Sequence, residues 1–470
     1  MKLHNTLTGT VDELKTLEES RVKLYTCGLT VYSQPHVGNW LGYIYWDVLV
    51  RLLKHLNYEV IRTQNITDVG HLVSDDDSGE DKMEKGAKRE GTTAWDVAKK
   101  YSEIAEHEAY ELLNLTRPDY LVAATDYIEQ QIIFAKTLDE LGYLYKIEAD
   151  GMYFDTSKLH DYGKLAHLDI AGLKAGARVS VEGKRRPTDF AVWKFSPQDA
   201  KRDMEWDSPW GKGFPGWHLE CSVIARETLG DQIDIHTGGI DHIPVHHTNE
   251  IAQTESVTGK QFSQIWLHNN HIKVNGQKIS KSLGNIYTLR DIKSHSYDIM
   301  AFKLMALSKH YRTEGNFTWD IVESNQNRLN NWKNAAALRH QIHDTLKDDD
   351  EKAVSLRATP HALVEALEND LDTPAALRII DEAFSQLERV AMDEIDRHSL
   401  VSLLETIDEL LGLRLLETTP DISDDAKQLI VERERARENK EWQKSDSLRD
   451  ELKSLGVNVL DTPSGTVWYY

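Results

Sequence analysis

The stretch Tyr25–Gly42 (YTCGLTVYSQPHVGNWLG) constrains the fold of this chain more than any other. The apolar residues Val22 and Leu24 before it predict a strand, and the residues from Asn39 onward predict an amphipathic helix. Between them lies the tetrad His36-Val37-Gly38-Asn39. A glycine lets backbone approach a ligand closely, and a helix N-terminus offers N–H groups and a positive dipole to phosphates. The stretch therefore predicts a strand–loop–helix unit suited to a nucleotide.

Composition limits the kinds of protein that this chain can be. With 470 residues, 40% of them hydrophobic, it is long enough for about three domains. We expect no membrane span, because no apolar run reaches the roughly 18 residues that a span requires. Two cysteines are too few for a disulfide scaffold, so we expect a reducing, cytoplasmic setting. The net charge of −22 argues against a strongly basic, sequence-blind nucleic-acid binder, but it leaves room for a local basic face that contacts RNA.

Strand patterns alternate with helix patterns over residues 1–290, which predicts an α/β fold with a Rossmann-type, doubly wound parallel sheet. Further predicted strands are 58–66, 232–236 and 264–268, and predicted helices are 93–115, 125–141, 217–227 and 244–258. Alternating runs and glycine-rich breaks predict an inserted β-rich module at about 117–200. Residues 271–281 predict a hairpin on the Asn275-Gly276 turn, and the charged segment 74–88 predicts a mobile loop. Beyond residue 288 the patterns are helical, apart from a small hairpin at 456–470, and the acidic run 348–351 predicts a loop.

The pentad Lys278-Ile279-Ser280-Lys281-Ser282 is the second candidate functional motif. Two lysines with interleaved serines on a loop after a strand suit the negative charge that develops on a transferring phosphoryl group. A pentad of this kind is also compatible with a solvated basic loop. Its place after a predicted parallel strand, downstream of His36-Val37-Gly38-Asn39, favours the phosphate interpretation.

The two thiols, Cys27 and Cys221, fall at strand–helix ends of the same predicted sheet. His246 and Glu250 are spaced i, i+4, so both point from one helical face. Two thiolates, an imidazole and a carboxylate form a reasonable tetrahedral zinc set. From the residues alone, buried apolar cysteines and a surface His–Glu contact explain the pattern better than a metal site does.

These motifs resemble those of a known family. HVGN at 36–39 and KISKS at 278–282 are similar to the HIGH and KMSKS signatures of class I aminoacyl-tRNA synthetases. The surrounding blocks resemble those of the cysteinyl-tRNA synthetase family, in its order, over essentially the whole chain: YTCGLTVY (25–32), NITDVG (65–70), PGWHLECS (215–222), DIHTGGIDH (234–242), HHTNE (246–250), ENDLDTPAALRIIDEA (368–383), RERARENKEWQKSDSLRDELKSLGV (433–457) and DTPSGT (461–466).

The resemblance implies a two-step reaction. The cysteine carboxylate attacks the α-phosphate of Mg·ATP to give cysteinyl-adenylate and pyrophosphate, and the terminal adenosine 2′-hydroxyl of tRNA(Cys) then takes the cysteinyl group. The residues it implies for ATP and catalysis are His36, Gly38, Asn39, Gly238, Gly239, Asp241, Lys278, Ser280 and Lys281. For the cysteine pocket they are Cys27, Thr67, Trp217 and His236. His236 is the weaker candidate, because a lone histidine at a strand end has a structural role about as often as a binding role.

The resemblance also implies one Zn²⁺ per chain on Cys27, Cys221, His246 and Glu250. A pocket that recognises shape alone distinguishes cysteine poorly from serine, because the two differ only by sulfur against oxygen. A thiophilic ion binds the thiol in preference to the hydroxyl, so we expect no editing site. Three positions depart from the family pattern. Asn39 replaces the final His of HIGH and brings no positive charge, Ile279 replaces Met in KMSKS, and the residues after Thr67-Asp68 are less acidic.

The implied domains are a catalytic domain at 1–290, a stem-contact-type helical region at 291–345, a helical bundle at 346–420 and an anticodon-binding module at 421–470. Candidate tRNA contacts are Arg433, Arg435, Arg437, Lys440, Lys444 and Trp468. A solvated helix with alternating charges, and a tryptophan in the core, are the alternatives. We expect a monomer. Two other functions stay open: a ligase that joins cysteine to a small-molecule amine, and an inactive RNA-binding or cysteine-sensing paralogue.

Overall fold

A computed structural model of the chain describes residues 1–69, 81–167, 183–197, 202–342, 356–388, 390, 392–462 and 465–470. The chain divides into two compact units, the first formed by residues 1–290 and 311–316 and the second by residues 291–310 and 317–470. Among the described residues, no helix combines the length and the apolar character that crossing a bilayer requires.

The first unit contains fourteen strands and six α-helices among its described residues, with shorter 3-10 and π-helical segments between them. Its strands are β1 (Lys2–Asn5), β2 (Thr10–Glu13), β3 (Arg21–Thr26), β4 (Glu59–Ile66), β5 (Tyr120–Ala123), β6 (Leu144–Ile147), β7 (Gly151–Phe154), β8 (Phe190–Phe195), β9 (Gly213–Pro215), β10 (Ile233–Gly239), β11 (Ser263–Asn269), β12 (Ile272–Val274), β13 (Gln277–Lys278) and β14 (Gly315–Phe317). Its helices are α1 (Val37–His55), α2 (Lys82–Glu90), α3 (Ala94–Glu106), α4 (Ile128–Glu140), α5 (Trp217–Leu229) and α6 (Thr248–Thr258).

A five-stranded parallel sheet in the order β11-β10-β3-β4-β5 forms the centre of the first unit. The parallel α/β prediction is therefore confirmed. Helix α1 connects β3 to β4 and is buried on nearly every side, with Trp40 and Trp46 almost without solvent exposure. Burial of a large apolar side chain of this kind contributes about 2–3 kcal/mol each. This packing fixes the turn between β3 and α1.

The inserted module is an antiparallel sheet in the order β6-β7-β8-β9, with Phe154 stacked on Phe190 at a ring-centroid distance of 5.0 Å. The predicted bounds of 117–200 are wrong at both ends. Residues 120–123 form an edge strand of the central sheet, and the antiparallel sheet continues to Pro215. The short strand β5 escaped the prediction because four residues carry little periodicity.

The charged segment predicted as a loop at 74–88 is a helix over its second part. Asp81 caps α2 by accepting from the backbone N–H groups of Met83 and Glu84, and Gly91 ends the helix with φ +68°. Met83 and Ala87 are buried on one face of α2. The remainder of that prediction, residues 74–80, lies outside the described residues, as does the acidic run 348–351.

Other predicted boundaries shift by a few residues. The helices predicted at 93–115 and 244–258 each combine an α-helix with a π-helical segment, at His107–Leu112 and Ile243–His247. The predicted hairpin at 271–281 is confirmed, with Asn275 and Gly276 both at positive φ. The hairpin β1–β2 and the strand β14 were not predicted.

The second unit is helical, with a terminal hairpin. Its elements are α7 (Leu289–Ser294, beginning just before the boundary), α8 (Ile299–Leu307), α9 (Trp319–Ala337), α10 (Thr359–Glu368), α11 (Thr373–Leu387), α12 (Arg397–Leu411), α13 (Leu415–Thr418), α14 (Asp424–Glu438), α15 (Trp442–Ser454), β15 (Asn458–Thr462) and β16 (Gly465–Tyr469). The antiparallel pair β15–β16 packs on α14 and α15 through a cluster that includes Ile430, Leu452 and Trp468. The predicted C-terminal hairpin is confirmed.

Candidate active site and metal centre

A pocket of about 790 Å³ opens at the carboxyl ends of the central parallel strands. Cys27 follows β3, Thr67 follows β4, and Gly239 and Asn269 end β10 and β11. Ligands bind at this edge of doubly wound sheets, because the strand-to-helix turns converge there. The topology therefore brings together residues that are more than 200 positions apart in the sequence.

One wall of the pocket contains four buried donor side chains that can hold a metal ion. The ligand atoms of Cys27, Cys221, His246 and Glu250 all lie within 4.8 Å of one another. His246 Nε2 is 3.1 Å from Glu250 Oε1, and Cys27 Sγ is 3.9 Å from the same oxygen. The structure thus brings together all four predicted ligands. Cys221 lies inside α5, however, and not at a strand end as predicted.

The electrostatics of this cluster are unfavourable for the protein alone. Burial raises the pKa of the Cys27 thiol well above its ordinary value, and the neighbouring Cys221 and Glu250 add to the effect. Burial also raises the pKa of Cys221. Glu250 is fully buried, and its ion-pair contacts among the described residues are to three histidines, His236, His246 and His247. A thiophilic divalent cation fits this donor set, because it stabilises both thiolates and the carboxylate directly.

A second group of donors shares two of these residues. The ligand atoms of Cys27, His236, His247 and Glu250 also lie within 4.8 Å of one another. Cys221 and His246 border the pocket, whereas His236 and His247 lie behind Cys27 and Glu250 with no solvent exposure. The first group is therefore the one that a ligand in the pocket reaches.

His236 was predicted to line the cysteine pocket, and the structure corrects this. Its Nε2 lies 2.8 Å from Glu250 Oε2, and the ring stacks on Trp266 at a centroid distance of 4.4 Å. His247 Nε2 lies 3.2 Å from Cys27 Sγ, and its Nδ1 lies 2.7 Å from His268 Nε2. Both histidines orient the donors from behind, as outer ligands do around metal ions. Sequence reasoning missed His247 and His268, which carry no spacing signal of their own.

The pocket wall beside the donors matches two other predictions. Trp217, the first residue of α5, stacks on His246 at a centroid distance of 4.1 Å. Thr67 is buried and accepts a hydrogen bond from Asn65 Nδ2 at 3.0 Å. Gly28 donates its N–H to Asn65 Oδ1 at 2.7 Å, and a Cβ at Gly28 would lie 1.5 Å from the Asn65 carbonyl oxygen. Only glycine allows this close approach.

The His36-Val37-Gly38-Asn39 turn forms the opposite part of the pocket. His36 is the N-cap of α1, where its Nδ1 accepts from the Gly38 N–H at 3.1 Å. Partial burial lowers the pKa of His36, so its ring is neutral near pH 7. Since Nδ1 accepts, the proton of the neutral ring is on Nε2, which makes that atom a donor.

Asn39 completes a capping box, because its Oδ1 accepts from the His36 N–H at 2.9 Å. Its side-chain oxygen therefore fixes the turn and the N-terminus of α1, which leaves the side-chain amide group as its donor at the pocket. The departure from the family tetrad replaces a possible cation with a capping residue.

The turn after β10 brings Gly238, Gly239 and Asp241 to the pocket edge. A Cβ at Gly238 would lie 2.5 Å from His247 Cε1, and one at Gly239 would lie 2.4 Å from Asp241 Oδ1. The two glycines thus leave room for the histidines behind the pocket and for the Asp241 carboxylate beside it.

The Lys278–Ser282 loop closes over the His36 turn. A Cβ at Gly38 would lie 2.8 Å from Ile279 Cδ1. Asn285 holds the loop, because it accepts from the Ser280 N–H at 2.8 Å and donates to the Lys278 carbonyl at 3.0 Å. Lys278 and Ile279 line the pocket, and Lys281 Nζ lies 5.8 Å from the centroid of the Tyr32 ring. The loop places two cationic side chains near one end of the pocket.

The C-terminal candidates separate into buried and exposed residues. Arg433 is 1% exposed and forms two hydrogen bonds of 2.7 Å to the Asp461 carboxylate. Trp468 is 5% exposed within the core of the second unit. The predictions that these two side chains contact tRNA are wrong, because neither is accessible. Arg435, Lys440 and Lys444 are exposed, and Arg437 is partly exposed.

Two family models match most of the chain. Residues 13–327 match the family model described as tRNA synthetases class I (C) catalytic domain. Residues 419–468 match the model of the cysteinyl-tRNA ligase anticodon binding domain. The fold and the pocket are thus those of a class I aminoacyl-tRNA synthetase.

Full-length relatives define the family more narrowly. The chain is 42% identical to Cysteine--tRNA ligase 1 of Burkholderia lata, over 99% of this chain and 96% of the relative. It is 40% identical to Cysteine--tRNA ligase of Caldicellulosiruptor saccharolyticus, over 99% of both chains. The chain belongs to the cysteine–tRNA ligase family of aminoacyl-tRNA synthetases.

Solved structures with little sequence similarity share the fold. A Mycobacterium tuberculosis methionyl-tRNA synthetase in complex with methionyl-adenylate has a TM-score of 0.60 at 16% identity, covering 84% of this chain and 91% of that one. An Agrobacterium radiobacter LeuRS in a complex with tRNA and LeuAMS has a TM-score of 0.59 at 11% identity, covering 86% of this chain and 84% of that one. At these identities the likeness supports the fold alone.

Proposed function

We propose that this enzyme activates L-cysteine with Mg·ATP to cysteinyl-adenylate, releasing pyrophosphate, and transfers the cysteinyl group to the 3′-terminal adenosine of tRNA(Cys). One observation carries the proposal. A single pocket joins a buried set of two thiols, an imidazole and a carboxylate to a histidine–glycine turn at a helix N-terminus and to a lysine loop. The set of thiols, imidazole and carboxylate suits a metal ion that binds a thiol substrate. The histidine–glycine turn and the lysine loop suit a triphosphate.

Cys27, Cys221, His246 and Glu250 are the residues that hold one Zn²⁺ in this proposal. Their donor atoms match the sulfur, nitrogen and oxygen ligands of tetrahedral zinc sites. When bound, zinc supplies a thiophilic Lewis acid that prefers the sulfur of cysteine to the hydroxyl of serine. His236 and His247 keep Glu250 and Cys27 in orientation.

The cysteine substrate lies between Thr67 and Trp217, beside Cys27. Trp217 covers His246 and closes the apolar side of the subsite, while the close contact of Gly28 with Asn65 keeps the backbone out of it. A pocket fitted to one small amino acid excludes larger ones by its walls, so the thiol-binding donors decide only between substrates of similar size.

ATP binds across the turns at the other side of the pocket. The Nε2–H of His36 and the N-terminus of α1 donate to phosphate oxygens, and Gly38 allows them to approach. Gly238, Gly239 and Asp241 meet the ribose and adenine, with the Asp241 carboxylate accepting from ribose hydroxyls. Lys278, Ser280 and Lys281 bind the phosphates that leave as pyrophosphate.

The first step needs positioning and charge stabilisation more than acid–base chemistry. The substrate carboxylate attacks the α-phosphorus while the bond to the bridging oxygen of pyrophosphate breaks, so negative charge accumulates on the departing phosphates. Lys278 and Lys281 neutralise that charge, and His36 holds the phosphates by hydrogen bonding. In the second step the 2′-hydroxyl of the terminal adenosine attacks the adenylate carbonyl, and AMP leaves.

The tRNA contacts in this proposal come from exposed residues of the second unit. Arg435, Arg437 and Lys440 offer positive charge to phosphates. Trp442, which starts α15 and is 58% exposed, replaces the buried Trp468 as the aromatic that stacks on an unpaired base. Its exposure, which the sequence does not reveal, is the signal that identifies it.

ATP-dependent attachment of radioactive cysteine to purified tRNA tests the function, with serine assayed in parallel. We expect charging with cysteine and none with serine. Cysteine-dependent ATP–pyrophosphate exchange without charging would contradict the tRNA step and indicate a small-molecule acceptor. Folded, zinc-loaded protein with neither activity would contradict the proposal as a whole and favour an inactive paralogue.

A further inference from the structure

Helix α2 supplies a lysine to the wall of the pocket. Lys82, the first residue of α2, lines the same pocket as His36 and Lys278. It belongs neither to the His36–Asn39 turn nor to the Lys278–Ser282 loop. The position of Lys82 depends on the contacts that hold α2.

The start of α2 is fixed by a buried ion pair. Asp81 is 1% exposed at its side chain and lies 2.6 Å from Arg202, which is 10% exposed. The same carboxylate caps the helix through the N–H groups of Met83 and Glu84. The cap and the ion pair thus fix the backbone at the start of α2, where Lys82 lies.

The body of α2 packs closely on the loop between β3 and α1. A Cβ at Gly86 would lie 3.3 Å from the Tyr32 carbonyl oxygen, and Arg89 donates to that oxygen at 2.9 Å. Met83 and Ala87 belong to the same buried cluster as Cys27 and Val31. The helix is therefore a rigid part of the pocket wall, and Lys82 is presented by packed structure.

Lys82 and Lys281 converge on one aromatic ring. Each Nζ lies 5.8 Å from the centroid of Tyr32, one reaching it from α2 and the other from the Lys278–Ser282 loop. Tyr32 lines the pocket, so both lysines lie beside the same part of its wall.

We propose that Lys82 is a third phosphate-binding cation, which contacts the β- and γ-phosphates of ATP together with Lys278 and Lys281. The inference rests on the proposed function, because that function identifies ATP as the nucleotide. It adds to the proposed ATP site a residue from a separate helix, α2. Lys82 and Lys278 line the pocket and Lys281 lies beside its Tyr32 wall, and three lysines around one pocket suit a ligand with several negative charges.

The test compares Lys82→Ala with Lys85→Ala, which removes the same charge from the exposed side of the same helix. Affinities for ATP and for AMP are measured by equilibrium dialysis, and cysteine-dependent ATP–pyrophosphate exchange is measured alongside. We expect Lys82→Ala to weaken ATP binding about tenfold and AMP binding less than about twofold, because AMP lacks the two outer phosphates. Lys85→Ala should leave both affinities unchanged, and Lys82→Arg should restore most of the ATP affinity.

Two outcomes would overturn the proposal. Equal ATP affinities for Lys82→Ala and Lys85→Ala would show that Lys82 does not contact the phosphates. Parallel losses of ATP and AMP affinity would show a purely structural role. A wild-type protein that binds ATP but shows no cysteine-dependent exchange would contradict the proposed function and not this inference, since the dialysis measurements do not need cysteine.

Discussion

The first unit contains the buried donor cluster Cys27, Cys221, His246 and Glu250, and the second contains the largely buried ion pair of Arg433 and Asp461. The two groups differ in how their negative charges are compensated. Cys27, Cys221 and Glu250 lie together, and among the described residues the cationic partners available to the Glu250 carboxylate are imidazoles. Asp461 instead accepts two hydrogen bonds of 2.7 Å from one guanidinium. A buried carboxylate needs a compensating charge. Where the chain supplies that charge the cluster is structural, and where it does not the cluster marks a site for a cation.

The largest expected effect comes from removing a donor from the incomplete cluster. Glu250→Gln keeps the size of the side chain but removes the charge that a cation requires, so we expect zinc affinity to fall at least about 100-fold. Cysteine-dependent ATP–pyrophosphate exchange should fall with it. Metal content by atomic absorption and the exchange rate are measured on the same preparation.

Glu255→Gln is the matched control for that variant. Glu255 lies on the same helix, α6, but it is paired with Lys164 within the protein. The control should keep full zinc content. Equal zinc content in both variants would contradict the distinction between an incomplete cluster and a complete pair.

Breaking the complete pair should cost stability and leave the chemistry intact. Arg433→Met removes both guanidinium hydrogen bonds to Asp461 and leaves it with the more exposed Arg437 at 2.9 Å and the Thr466 hydroxyl at 3.2 Å, so we expect a loss of about 2 kcal/mol in the free energy of unfolding. Arg435→Met, at an exposed position of the same helix, should change it by less than about 0.5 kcal/mol. Urea denaturation measures both.

A double replacement sharpens this result. Arg433→Met with Asp461→Leu removes both charges, and we expect it to recover most of the lost stability, because no unpaired charge remains. If the double variant were less stable than the single one, the pair would contribute more than mutual neutralisation. No such rescue is expected for paired replacements in the donor cluster, because the cation is what that cluster requires.

The smallest expected effect is the pH dependence of the complete pair. Hydrogen bonding to Arg433 lowers the pKa of Asp461 to about 2. A carboxyl whose pKa is lower in the folded than in the unfolded protein contributes stability above its unfolded pKa. That contribution is lost as the pH falls from about 4 towards 2. For a carboxylate that is a quarter exposed, we expect about 1 kcal/mol after screening by solvent.

Unfolding free energies of the wild type and Asp461→Asn, compared between pH 7 and pH 3, measure this contribution. The difference between the two proteins should shrink as the pH falls. A difference that stays constant over this range would show that the ion pair is not the source of the Asp461 contribution.

The sequence predicted those parts of the molecule where local pattern and motif coincide. The turn between β3 and α1 combines a strand pattern, a helix pattern and a glycine, and it lies where it was expected. The Asn275-Gly276 hairpin is specified by the two positive φ angles that its turn requires. The four predicted metal-ligand positions converge because the loop after β3, helix α5 and the segment after β10 meet at the pocket.

The errors share a different physical cause. Arg433 and the exposed Arg435 are indistinguishable in a helix of alternating charge, since only the distant Asp461 determines which one is buried. Helix α2 was predicted as part of a loop because its sequence is highly charged. Its capping residues, Asp81 and Gly91, are nevertheless helix start and stop signals in the sequence. His236 and His247 act through other residues, and a role of that kind depends on tertiary contacts that no local pattern encodes.

The most direct test of this account is the selectivity of amino-acid activation before and after removal of the metal. Rates of ATP–pyrophosphate exchange with cysteine and with serine are measured on the zinc-loaded enzyme, on the chelated enzyme and after zinc is restored. We expect a strong preference for cysteine that is lost on chelation and returns with zinc, because the thiol is recognised by the metal that the four buried donors hold. An unchanged preference for cysteine in metal-free, folded protein would contradict the central claim.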